Sequence, residues 1–208
     1  MSAALPVQGQ ARARVGTGGL RVPEESEAWI GFGGNLGDRL GNLSAALAAF
    51  GPVIEAVSPI YETAPWGVLD QPWFLNGVAR LRWTAGPTAL LQRCLAIEQE
   101  LGRVRQQRNG PRSIDLDVLI VGPRPFGGTG LTIPHPGIGR RRSVLEPWAD
   151  LSPELLVPGL DGSLESLRVA ARGLAGQEVR LFRSRGALGD RPDPLAESAA
   201  RSQQRGGR

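Results

Sequence analysis

Asp115 and Asp117 stand two positions apart in Ser113-Ile114-Asp115-Leu116-Asp117-Val118-Leu119-Ile120-Val121. On a strand, side chains alternate, so both carboxylates share one face, roughly 7 Å apart along the chain. Leu119 and Val121 continue that face while Ile114, Leu116, Val118 and Ile120 line the other, so the acids interrupt a strand that is apolar on both sides. A solvated sheet face would explain an isolated D-x-D, but two like charges in this setting need a cation. The chain has one His and one Cys, so only oxygen ligands are at hand. That points to Mg²⁺, which keeps waters and draws further ligands from substrate phosphates.

Four arginines, Arg103, Arg105, Arg108 and Arg112, lead into the acidic strand with no acid between them. Their forked donors match phosphate oxygens. Metal-binding acids beside arginines are the apparatus of phosphoryl transfer, where stabilising spread negative charge is most of the catalysis. A third signal lies upstream: four of the eleven aromatic residues fall within Tyr61 to Asn76. Trp66 and Trp73 sit there in a loop broken by Gly and Pro, which favours a flat apolar ligand under a lid. His135 is fixed between Pro134 and Pro136, and a neutral imidazole there can donate to a phosphate or a nucleotide sugar. Glu98 lies on the apolar stripe of a helix and needs a partner, for which the loop arginines are candidates. Cys94 reads as a core residue.

Composition removes several classes of chemistry. All 24 basic residues are arginine, which excludes Schiff-base lysines and a phosphate loop ending in G-K-[ST]. A lone Cys94 excludes an internal disulfide, a Cys-rich zinc site and a C-x-x-C pair. No run of about 18 apolar residues occurs, and residues 1–26 lack the compact apolar stretch of a secretory signal. A cytoplasmic protein without a membrane partner is expected. The net charge is +4, of which residues 1–26 hold +1 and residues 184–208 hold +2, leaving +1 for residues 27–183. Such a distribution argues against nucleic acid as the partner of the fold. Both ends are rich in small residues and arginine, so disordered extensions at 1–26 and 184–208 are expected around one domain at 27–183.

The elements that must position these residues follow from the punctuation. A strand at 28–32 runs into Gly33-Gly34-Asn35-Leu36-Gly37. Asp38 then caps a helix with Leu40, Leu43, Leu47 and Phe50 on one stripe, ended by Gly51-Pro52. Residues 53–61 and 74–83 read as strands. Gly86-Pro87 opens a helix that buries Leu90, Cys94, Ile97 and Leu101. Residues 113–121 form the acidic strand, 131–135 follow a Gly/Pro-rich loop, 142–151 and 163–174 are helical, and 179–182 form a last short strand. The order βαββαβ predicts an α+β fold of the ferredoxin-like plan, an antiparallel sheet with helices packed on one face and additions after residue 122.

Over residues 28 to 160 the sequence resembles the 6-hydroxymethyl-7,8-dihydropterin pyrophosphokinase family. The resemblance rests on Arg108-Asn109-Gly110-Pro111-Arg112-Ser113-Ile114-Asp115-Leu116-Asp117-Val118-Leu119, Gly34-Asn35-Leu36-Gly37-Asp38-Arg39, and Tyr61-Glu62-Thr63-Ala64-Pro65 with Gln71-Pro72-Trp73-Phe74-Leu75-Asn76. Gly102-Arg103-Val104-Arg105, Pro134-His135-Pro136 and Leu145-Glu146-Pro147 complete it, all in the family's order. It implies transfer of the β,γ-pyrophosphoryl unit of ATP to the pterin hydroxymethyl oxygen, with AMP released, in folate biosynthesis. By the same resemblance Asp115 and Asp117 hold two Mg²⁺ ions, and Arg103 and Arg112 act on the phosphates. Glu98, Arg105, His135 and Arg141 serve ATP, while Thr63, Ala64, Trp66, Phe74 and Asn76 form the pterin site. ATP and the pterin are then the partners of a monomer.

Two positions depart from the family pattern. Ser143 stands where an aromatic ring usually closes the pterin sandwich, a loss of roughly 0.5–1.5 kcal/mol beyond area burial unless Trp66 or another ring substitutes. The usual Gly-Ser-Asn turn reads Gly33-Gly34-Asn35. The competing readings are a metal-dependent nucleotidyltransferase, an ATP-binding family member with an altered pterin site, and an Arg-rich RNA-binding module.

Overall fold

The computed structural model describes residues 26–103 and 109–183. Residues 1–25 and 184–208 of the expected terminal extensions and Arg105 lie outside the described residues, while Ser26, expected in the first extension, is buried at the start of the first strand. Five strands form a continuous antiparallel path in the order β5 (Asp115–Val121), β1 (Ser26–Gly34), β4 (Phe74–Trp83), β3 (Ile60–Thr63) and β8 (Val179–Arg183), with β2 (Ile54–Val57) also paired to β4. Helix α1 (Arg39–Phe50) follows β1, α2 (Gly86–Glu100) follows β4, and α3 (Arg142–Leu151) and α4 (Leu164–Ala171) follow a small hairpin of β6 (Phe126–Gly128) and β7 (Leu131–Ile133). The βαββαβ order is thus present, with β2 and β3 together in the place of one strand.

Local chemistry accounts for most boundaries. The Asp38 carboxylate accepts the Gly41 N–H at 3.0 Å, capping α1. Leu90, Cys94 and Ile97 of α2 are fully buried, as their spacing requires. The expected single strand at 53–61 is broken at Ser58-Pro59. Pro59 has no N–H for the ladder, and Ser58 uses its N–H and its hydroxyl to satisfy the C=O and N–H of Val78, each at 2.9 Å.

Register decides which side chains meet. Gly31 pairs with Asp117, Gly33 with both Asp115 and Asn76, Asn76 with Tyr61, and Phe74 with Thr63. Residues paired across strands share a face, so the two aspartates, Asn76, Phe74 and Thr63 lie on one surface crossing four strands. Helix α3 packs on that same surface, where Trp148 meets Trp29 with ring centroids 5.5 Å apart. The other face buries Ala28, Ile30 and Phe32. α1 and α2 lie against β1, β4 and β5 and are joined through Arg93 and the Ala49 carbonyl. The elements after residue 122 therefore cover the sheet face that the sequence left without helices, and the surface between α3 and the end of β5 remains open.

Candidate functional site

The ends of β5, β1, β4 and β3 meet loops at one margin of this face. Asp115 accepts from Arg103 Nη1 at 2.6 Å through Oδ1, and its Oδ2 is 2.7 Å from Arg112 Nη2. Asp117 is looser: Arg141 Nη1 is 3.8 Å from Oδ2, and its side chain keeps 38% of its surface exposed. Burial by the surrounding protein, then the charge of Asp115, push the Asp117 pKa up, against the pull of His135, Arg141 and Arg112. A cation between the carboxylates would reverse that cost. Among the described residues no cluster of three or more His, Cys, Asp or Glu could hold a metal. The Asp115 and Asp117 carboxylates, side by side on one sheet face, suit a hard cation that completes its shell from water and phosphate oxygens.

Glu98 lies behind the acidic strand rather than in the open site. It is 3% exposed, bonds to Arg103, and accepts the Leu116 N–H at 2.8 Å. The partner expected among the loop arginines is thus Arg103. His135 is tied to the sheet by its N–H on the Leu119 carbonyl at 3.0 Å, and its Nδ1 faces the Gly137 N–H at 3.1 Å. An Nδ1 that accepts leaves the proton of the neutral ring on Nε2, a donor free to meet an anion. Arg141 passes so close to Gly137 that a Cβ there would sit 2.8 Å from its Nε.

Beside the charged groups lies an open cleft lined by Thr63, Ala64, Trp66, Phe74, Asn76 and Arg112 among others. Asn76 Nδ2 donates to Thr63 Oγ1 at 2.7 Å, which aims the amide and hydroxyl as one unit. The Arg112 guanidinium lies 5.0 Å from the centroid of Phe74, and Arg141 lies 5.8 Å from that of Trp66. Buried Arg112 Nε has no partner among the described residues. Trp66 is 59% exposed. Trp73 is absent from the cleft wall; its ring lies under Arg180 at 4.6 Å, and Arg180 is paired to Glu62.

Several residues of the site escaped the sequence reading as single positions. Asn35, 3% exposed, accepts the Arg112 N–H at 2.8 Å and donates to Gln71 Oε1 and the Pro72 carbonyl at 3.0 and 2.9 Å. Gln71 in turn donates to the carbonyls of Val68 and Asn109. An amide in a glycine-rich turn was the available signal. Glycine at 34 has a local reason: a Cβ there would lie 2.3 Å from the Ser113 carbonyl oxygen. Gln177, Glu178 and Val179 also line the cleft, beside Ser143, and nothing in their own sequence marks them.

Known proteins place this geometry in a family. A model of the 7,8-dihydro-6-hydroxymethylpterin-pyrophosphokinase family matches residues 29–153. The chain is 43% identical over 134 residues to a 2-amino-4-hydroxy-6-hydroxymethyldihydropteridine pyrophosphokinase of Pseudomonas aeruginosa, covering 62% of this chain and 83% of that one. It is 40% identical over 138 residues to the protein of the same name from Methylorubrum extorquens, covering 64% and 87%. The folic acid synthesis protein fol1 of Schizosaccharomyces pombe is 38% identical over 161 residues, 76% of this chain, which spans only 22% of that longer protein. In fold, the chain superposes on the crystal structure of a Plasmodium falciparum HPPK-DHPS with pteroate at a TM-score of 0.59 and 15% identity, covering 70% of this chain and 44% of that one. The chain belongs to the 7,8-dihydro-6-hydroxymethylpterin-pyrophosphokinase family.

Proposed function

We propose that this chain transfers the β,γ-pyrophosphoryl unit of ATP to the hydroxymethyl oxygen of 6-hydroxymethyl-7,8-dihydropterin, releasing AMP, a step of folate biosynthesis. The observation that carries this reading is the shared sheet face: the acids at 115 and 117 and the Thr63, Phe74 and Asn76 cluster open onto one margin, joined by Arg112. The O–H of the acceptor loses its proton, the oxygen bonds to the β-phosphorus, and the bond from that phosphorus to the α-phosphate oxygen breaks. A magnesium pair held by Asp115 and Asp117 would neutralise phosphate charge and lower the pKa of the acceptor hydroxyl.

The protein's own residues do the rest. Phe74 offers a stacking face, and Asn76, aimed by Thr63, offers an amide to the ring edge. Arg112, partly exposed and held on Asp115 through Nη2, offers its guanidinium to the phosphates, and Arg103, braced from behind by Glu98, holds Asp115 in place until phosphate draws it away. Glu98 thereby serves ATP through Arg103 and not by contact. His135 Nε2 and Arg141 complete the triphosphate side, with Arg105 as a further phosphate partner. Trp66 and Ala64 close the pterin side. The domain at 27–183 carries the activity as a cytoplasmic monomer. No helix among the described residues is long and apolar enough to cross a membrane.

Purified protein incubated with ATP, Mg²⁺ and the pterin should release AMP in step with pterin diphosphate, and not without pterin. AMP attached to a product would establish the nucleotidyltransferase instead. Bound ATP without any AMP would leave the altered family member. A narrower expectation concerns Gly33, where a Cβ would lie 2.1 Å from Asn76 Oδ1. Gly33→Ala should push the Asn76 amide aside and weaken pterin binding by about tenfold, the value of one hydrogen bond of about 1.4 kcal/mol. Affinity for a non-hydrolysable ATP analogue should stay within twofold. Equal losses for both ligands in binding titrations would refute the assignment of Asn76 to the pterin.

A further inference from the structure

The cleft wall at Ser143 is short of side-chain volume, yet it is closed by a segment far downstream. Gln177, Glu178 and Val179 line the cleft together with Ser143. They are bolted at both edges. Gln177 Oε1 accepts the Arg142 N–H at 2.9 Å, Gln177 Nε2 donates to the Arg140 carbonyl at 2.9 Å, and the Gln177 carbonyl accepts from Arg142 Nη1 at 3.1 Å. The first two bonds tie the Gln177 side chain to the backbone on the N-terminal side of Ser143, and the third ties its carbonyl to the Arg142 side chain. On the other edge the Ala64 N–H donates to the Glu178 carbonyl at 2.9 Å, and Thr63 pairs with Val179 in the sheet. Arg142 is itself fixed by Glu146, whose carboxylate is 8% exposed and lies 2.6 Å from Nη2. All of residues 177–179 lie beyond the stretch that matches the family model, which ends at 153.

We propose that Gln177 is a positioning residue for the pterin, which locks the start of β8 across the gap left by Ser143 so that Val179 and the Gln177 stem form the missing wall. The inference rests on the pyrophosphokinase reading. A glutamine that bonds only to backbone and lines a ligand cleft fixes the distance between two walls. One N–H and one oxygen lone pair of the amide are committed to the Arg140-to-Arg142 turn, which fixes the orientation of the side chain, and its contribution to the ligand is the shape of the wall. Among the described residues Asp115, Asp117, Arg103, Arg112 and Arg141 make no direct bond to it.

The test uses the full chain, with pterin affinity read by titration of pterin fluorescence and nucleotide affinity by titration of a non-hydrolysable ATP analogue. Gln177→Ala should weaken pterin binding five- to twentyfold, raise the pterin KM by a similar factor, and leave analogue affinity within twofold. Ser143→Phe placed on the Gln177→Ala background should recover most of that loss, because a ring then fills the opened space. On the unaltered background the same ring should gain less than threefold. Unchanged pterin affinity in Gln177→Ala would overturn the proposal, as would parallel losses for both ligands or failure of the ring to rescue. Wild-type protein that bound ATP analogue but no pterin would sink the pyrophosphokinase reading itself, a result distinct from all of these.

Discussion

Replacing Asp117 by alanine is expected to lower turnover by on the order of 10³-fold while leaving the melting temperature unchanged or higher. The first half follows from electrostatics: a group that stabilises developing charge in a water-poor site contributes on the order of 10²–10³ in rate, and this carboxylate is one of the pair on the sheet face proposed to hold the metals. The second half follows from the surroundings of the side chain. Burial and the Asp115 charge both disfavour the ionised form, and the ion pair that opposes them, to Arg141, is loose at 3.8 Å. Removing the carboxylate therefore relieves repulsion and breaks no close ion pair. Asp115 differs, since it holds Arg103 and Arg112 at 2.6 and 2.7 Å, so Asp115→Ala should lose both activity and stability. Steady-state AMP release with pterin, read beside thermal melts of both variants, checks the contrast. Near-normal turnover in folded Asp117→Ala would remove this residue from the metal site.

The part of this site that the sequence displayed was the part carried by local order. Asp115 and Asp117 share a face because strands alternate, and Leu90, Cys94 and Ile97 share a stripe because helices turn every 3.6 residues. The bounds of β4 and α3 coincide with expectation for the same reason. What stayed hidden depends on residues distant in sequence. The pairing of Gly33 with Asp115 on one side and Asn76 on the other is set by sheet order, and it alone brings the acids and the pterin residues to one margin. Trp73 has the composition of a ligand-stacking residue, yet Arg180, more than a hundred positions later, takes its ring. Likewise nothing near Ser143 announces that Gln177 closes over it. Aromatic content located the ligand loop but did not say which rings face inward.

Asn35→Ala is expected to cost about 2–3 kcal/mol of stability, a fall of about 5–10 °C in melting temperature for a domain of this size, together with on the order of 10²-fold in kcat/KM. The stability loss arises because the side chain is buried and its removal leaves the Arg112 N–H and the Pro72 carbonyl without it. The loss of activity has a separate origin. Through one amide Asn35 fixes the backbone of Arg112, the proposed phosphate partner, and the loop carrying Gln71 and Pro72, which leads to Phe74 and Asn76. Its own N–H and that of Leu36 also donate to the Arg112 carbonyl, at 2.9 and 3.2 Å. Displacement by about 1 Å at such a junction is worth about 10²-fold in rate. Gln71→Ala separates the two functions, since it frees the aromatic loop from Asn35 and from the Asn109 carbonyl but leaves the Arg112 bond in place. That variant should lose pterin affinity, keep ATP-analogue affinity, and melt within about 3 °C of wild type, whereas Asn35→Ala should weaken both ligands. If instead Asn35→Ala kept full affinity for the ATP analogue, the amide would not position Arg112, and the two loops would be held independently of each other.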